Sequence, residues 1–239
     1  MSHLLVVSML VAAAGGVVRG MTGFGGSLIM TPLLTMVFEP KQVVPAVLLL
    51  EAFAATPMLI KAAGLAHYRT IAPICAASFV TLPLGGYLLV HADPHVLRRG
   101  IAVLVIVSSA LLFKGVRYSG PRPVSLLVGL GALCGALLGA TGIGAPPMIL
   151  YLLSGSDPVV VTRSNLTLGV AAMSVAALVM LRAQGIPVLD GPLSPLAMAP
   201  CFYGGIVIGT YLFSRVSETR FRLLALALLM SVSTVALFR

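Results

Sequence analysis

Charge is scarce in this sequence: its 239 residues include six acids and fifteen lysines and arginines, 9% in all. A soluble domain carries about 25% charged residues. That shortage excludes a water-facing globule, and with 59% hydrophobic residues the missing solvent is lipid. Cysteine is nearly absent too. Cys75, Cys134 and Cys201 lie singly inside apolar runs, with no CxxC pair and no Cys/His cluster. Disulfide and zinc frameworks are thereby excluded, which leaves small buried hydrophobes. No link is long enough to form an extramembrane domain. Nor is there a basic n-region at Met1 to His3, and the first apolar stretch runs on into glycines rather than a cleavage site, so it reads as a retained membrane segment.

The net charge of +9 invites a nucleic-acid reading, but the cations form no patch. Lys61 and Arg69, Arg98 and Arg99, Lys114, Arg117 and Arg122, and Arg215, Arg220 and Arg222 sit between apolar runs. Cations that fix orientation in a bilayer are placed this way. Lipid is the expected surrounding, and no nucleic-acid partner is expected.

Six apolar runs are long enough, or nearly so, to cross a core of about 30 Å at ~20 residues each: 42–60, 70–90, 96–113, 162–181, 192–213 and 221–238. Two further stretches, 4–38 and 124–154, are too long for one crossing and carry glycines near their middles. They are related. A shift of 119 positions lays Gly16, Gly20, Thr22, Gly23 and Gly25 on Gly135, Gly139, Thr141, Gly142 and Gly144, and Gly85-Gly86 on Gly204-Gly205. The chain thus reads as an internal duplication, with a first transmembrane repeat over 1–119 and a second over 120–239 in one integrated domain.

Loop charges favour a direction for the repeats. If each interrupted stretch is a hairpin of two short segments, one membrane face receives nine cations and the other five. If each stretch crosses once, the same cations divide seven to seven. The positive-inside bias selects the hairpins. Each half then crosses an odd number of times, and both termini lie outside. The expected fold is an all-α polytopic helix bundle of two inverted repeats, each with a glycine-broken helical hairpin plus three long spans.

The chemistry concentrates at Gly20-Met21-Thr22-Gly23-Phe24-Gly25-Gly26-Ser27 and at Gly139-Ala140-Thr141-Gly142-Ile143-Gly144-Ala145-Pro146. So many glycines break a helix, and irregular backbone at membrane depth persists only where protein or a water-filled cavity covers it. Ser27 can cap a helix running to Val37, and Pro146 and Pro147 suit the first turn of its counterpart. A helix start presents free N–H groups and about half a positive charge, and glycine lets a ligand approach them. Two such starts meeting near the bilayer middle are a common transporter site, and they predict an anion. Thr22 and Thr141 are equivalent hydroxyls that can add donors. For Gly16, Gly20, Gly135 and Gly139 helix–helix packing is the plainer reading. The turns are neither a phosphate-binding loop nor a dinucleotide fingerprint, and no cofactor or metal is expected.

The run from Gly20 to Pro32, its repeat at 139–151, and the Gly-Gly pair followed by a basic, Leu-rich helix in each half resemble the sulfite exporter TauE/SafE family, also called the toluene sulfonate uptake permeases. The resemblance covers nearly the whole chain. It implies transport of sulfite, sulfonates or other small sulfur-containing or organic anions across a bacterial cytoplasmic (inner) membrane by a protein of about eight helices. The family motif falls on Gly20, Thr22, Gly23, Gly25 and Gly26, and on Gly139, Thr141, Gly142 and Gly144. Pro146-Pro147 stands where the first half has Ser27-Leu28, which puts the equivalence of the two turns in doubt.

Several other positions stand out. Glu51 is the sole acid well inside a span, where a charge costs at least ~2.5 kcal/mol; it reads equally as a site for H+ or Na+ coupling or as a protonated helix contact. Arg19 precedes the first turn and reads as an anion ligand in preference to a cation that snorkels to an interface. Arg163 reads as an orientation charge, while Asn165, with Thr167, can line the pathway. His67, His91 and His95 read as solvated link residues. The substrate-binding set is therefore Arg19, Gly20, Thr22, Gly23, Phe24, Gly25, Gly26, Ser27, Thr141, Gly142, Ile143, Gly144, Ala145 and Asn165, with Glu51 for coupling. No catalytic constellation lies in the spans, which argues against a membrane enzyme. An anion channel and a non-transporting membrane subunit remain the alternatives to a carrier, and a homo-oligomer stays open.

Overall fold

The structure, a computed structural model, describes residues 2–114, 123–155, 157–188 and 193–213. Among them every regular element is a helix: α1 Ser2–Thr22, α2 Gly26–Thr35, α3 Pro40–Leu65, α4 Tyr68–His91, α5 Pro94–Phe113, α6 Val124–Thr141, α7 Ala145–Leu153, α8 Val159–Ala183 and α9 Pro195–Phe213. Prolines punctuate the starts. Pro40, Pro94 and Pro195 open their helices, where a missing N–H costs no helical bond.

Six of these helices, α1, α4, α5, α6, α8 and α9, are long and apolar enough to cross a membrane, which makes the chain a multi-pass membrane protein. Large apolar side chains point outward along them, among them Leu10, Val80, Leu84, Val107, Val179, Leu196 and Val207. Such a belt is stable only against lipid. The expected spans at 42–60, 70–90, 96–113 and 162–181 fall within α3, α4, α5 and α8, and α9 covers the described part of 192–213. The run at 221–238 lies outside the described residues.

Both glycine stretches break where expected, and both fold back. A methyl at Gly15 would meet Met30 and the Gly26 carbonyl, and one at Gly144 would meet the Cys134 carbonyl and Leu138. α2 therefore returns along the end of α1, and α7 along the end of α6. At ten and nine residues, each return helix rises about 15 Å at 1.5 Å per residue, half a bilayer core. They are half-helices.

The long helices pair through glycine. On α1, a Cβ at Gly16 would strike the Phe202 carbonyl and one at Gly20 the Ile206 carbonyl of α9. On α6, Gly135 and Gly139 meet the Ser78 and Leu82 carbonyls of α4 in the same way. Residue numbers rise together in each pair, so both pairs run parallel. The backbone approach is of the small-residue kind that membrane helices use in place of a hydrophobic drive. The register differs from the one read in the sequence. Phe202, Ile206 and Gly209 take the places of Ser78, Leu82 and Gly85, an offset of 124 rather than 119. The physical reason is the connection: residues 184–194 join α8 to α9, whereas only 66–67 join α3 to α4. Gly85-Gly86 is thus not the packing counterpart of Gly204-Gly205.

The remaining long pair is α3 with α8. The N–H of His67, just past the end of α3, donates to Asn165 Oδ1 near the start of α8 (2.8 Å). α8 also lies alongside α4 in the same direction, with Ile71 by Gly169 and Gly86 by Met180.

Candidate functional site

At the first break the chain leaves α1 after Thr22, and Gly23 and Gly25 take positive φ of 80° and 90°. An L side chain there is strained by about 1–2 kcal/mol. The Gly23 N–H still closes onto the Arg19 carbonyl (2.7 Å). Gly25, not Ser27, is the N-cap of α2, and no side chain caps the helix. The serine sits two positions too far in to cap, and what meets it is an acid from another helix. The Ser27 backbone N–H donates to Glu51 Oε1 at 2.8 Å. Glu51 Oε2 accepts from Arg19 Nη1, and Arg19 Nη2 also reaches the Glu51 carbonyl at 3.5 Å.

Arg19 and Glu51 are thus partners, 6% and 2% exposed. Two charges at this depth persist because each satisfies the other and a helix start satisfies the rest. Gly26 makes the room, since a methyl there would lie 2.6 Å from Glu51 Oε1 and 3.3 Å from the Phe202 ring. Gly20 serves a different end, the close approach of α9. Phe24 is half-buried against the larger apolar core. The backbone of Thr22 ends α1; its side chain lies outside the described residues.

The second break repeats one of the two left-handed glycines and none of the charges: Gly144, the counterpart of Gly25, has a negative φ of −111°. Gly142 takes φ 71°, Gly144 caps α7, and Pro146 and Pro147 fill the first turn. The Thr141 hydroxyl donates to the Leu137 carbonyl (2.7 Å) and accepts from the Ile143 N–H (3.1 Å), so it closes the broken helix. Ile143 is fully buried in the core. By the 119 shift, Leu138 stands where the first half has Arg19, and Val170 where it has Glu51.

The two breaks share one small cavity, lined by Ser27, Glu51, Leu138, Gly142, Gly144, Ala145, Val170, Met173 and Ser174. It has room for about one water molecule. On its wall the Ser174 hydroxyl is 1% exposed and has no hydrogen-bond partner among the described residues. Nearby, the Thr31 hydroxyl is equally buried and unpartnered, 3.7 Å from where a Gly142 Cβ would stand.

Two further residues differ from their sequence reading in position or partner. Asn165 is fully buried, but its Oδ1 holds the His67 N–H and it does not line the cavity. Arg163 lies over the first break, its Nε 3.1 Å from a Cβ built on Gly23. His67 is exposed, as expected of a link residue, and faces Asp157 at 3.6 Å. Ser174 and Thr31 gave no signal in sequence, being isolated hydroxyls on apolar helices. Among the described residues no three His, Cys, Asp or Glu gather as a metal site would require.

The family model described as sulfite exporter TauE/SafE matches residues 8–236 of the chain. No curated protein and no solved structure matches it significantly.

Proposed function

Because the chain belongs to the sulfite exporter TauE/SafE family, we propose that it is a secondary transporter carrying a small anion between the two helix breaks. The substrate class is sulfite, a sulfonate or another sulfur-containing or organic anion. The observation that carries this reading is the shared cavity: the start of α2 and the α6–α7 break bound one space. Half-helix starts at a midplane pocket favour negative charge, and Arg19 adds a cation paired with Glu51 on the cavity wall.

The carrier reading also draws support from the helix directions. α4 reverses against α3 through the short link at 66–67, and α8 runs with α4, so α3 and α8 run opposite ways. The pairs α1–α9 and α4–α6 exchange places under the same operation. Two inverted repeats would produce this arrangement, and such repeats can rock about a fixed site to give alternating access. Coupling to H+ or Na+ falls to Glu51, and the expected setting is a bacterial inner membrane.

Purified protein in liposomes tests the reading. Saturable uptake of sulfite, thiosulfate or a sulfonate, with counterflow, is the expected result. Flux that never saturates would indicate a channel, and no flux of any anion would indicate a non-transporting subunit.

A further inference from the structure

We propose that Glu51 is a tethered anion occupying the substrate's own place, and that substrate enters only as the carboxyl takes up a proton and leaves the α2 start. This rests on the anion-site reading above and says how that site is controlled. The donors an incoming anion would need, the Ser27 N–H and the Arg19 guanidinium, are held by the Glu51 carboxylate. The cavity on whose wall this carboxylate lies admits little more than a water. Space and donors become free in a single event, the withdrawal of one side chain.

The Ser174 hydroxyl shows what the cavity is prepared to hold. It is buried to 1% exposure on the same wall without a partner of its own, and a buried unpaired hydroxyl is costly. A bound oxyanion would satisfy it. Two negative groups beside one guanidinium would repel, and the carboxyl is the one that can neutralise by taking a proton. The withdrawn Glu51 is then a neutral acid, which the surrounding apolar helices tolerate where they would not tolerate a carboxylate.

Other titratable groups near Glu51 leave this role to it. Arg19 on α1 is its direct partner. Tyr203 on α9 gives its hydroxyl to the Phe53 carbonyl (2.7 Å), and Arg163 on α8 lies over Gly23. α2 carries no titratable side chain. From α5, Arg98 turns to the Phe38 carbonyl (3.4 Å); α4 and α6 bring Cys75 and Cys134, both inside the apolar core. The second break has no equivalent device, since Val170 replaces the acid.

Calorimetric titration of the purified full chain with methanesulfonate and thiosulfate, both anionic over roughly pH 5 to 8, tests this in paired buffers of different ionisation heat. The expected result is uptake of about one proton per anion bound, with affinity falling about tenfold per pH unit on the alkaline side. Glu51→Gln should bind with no proton uptake and a flat pH profile. If that variant fails to fold, the proton count of the unaltered protein still decides. Binding without proton uptake, or uptake unchanged in Glu51→Gln, would overturn this inference and leave the transporter reading standing. Failure of both anions to bind at any pH would remove the anion site itself.

Discussion

Around the first break, one atom more or less decides what can sit beside the helix start. Gly26→Ala puts a methyl 2.6 Å from Glu51 Oε1, so the carboxylate must leave the Ser27 N–H. Overpacking of this kind costs about 1–3 kcal/mol, which a lowered midpoint in thermal unfolding would reveal. Gly142→Val forces a β-branched residue into φ 71°; the expected outcome is lost transport with membrane insertion intact, and normal uptake would remove the turns from the mechanism. The charge pair makes its own prediction. Arg19→Met should destabilise by about 3–5 kcal/mol, because it leaves a buried carboxylate unpaired. Arg19→Met with Glu51→Leu should recover most of that loss; equal damage in single and double variants would contradict the pairing. Arg19 and Glu51 were each visible in the sequence as odd charges in apolar runs, but not as partners. They are 32 positions apart on α1 and α3, and only the fold brings them together. Thr141 and Asn165 illustrate the opposite limit, since a sequence shows that a polar group is present without showing which backbone group will claim it.

Between helices, the same residue type has opposite value depending on what it faces. On α6, Gly129 has nothing within 4 Å, whereas Gly131 abuts the Ile74 carbonyl of α4. Gly129→Ala should be neutral or stabilising by about 0.5–1 kcal/mol through helix propensity. Gly131→Ala should instead force α4 and α6 apart, at a cost of about 1–3 kcal/mol. Thermal unfolding of the two variants side by side checks the contrast, and similar midpoints would place the helix contact elsewhere. The breaks at 23–25 and 142–144 were legible because glycine clusters and a following proline pair are local signals. The α4 and α9 register was not. Identity between Gly85-Gly86 and Gly204-Gly205 is true of the letters, yet the extra residues joining α8 to α9 slide that helix by about a turn and a half.

For the molecule as a whole, composition alone announced lipid, and six membrane-length helices with outward apolar belts agree with it. What composition could not convey is how the helices are shared out. The first helix of the chain packs on the last described one, and α4 packs on α6, so each close pair joins elements from opposite sides of the α5–α6 connection. Cutting the chain between α5 and α6 therefore leaves two fragments whose glycine faces have lost their complements. Expressed singly, each fragment should be degraded or should associate with copies of itself; expressed together, they should copurify and regain transport. The interleaving works like a clasp: each piece is closed by the other, and stability belongs to the join more than to either side.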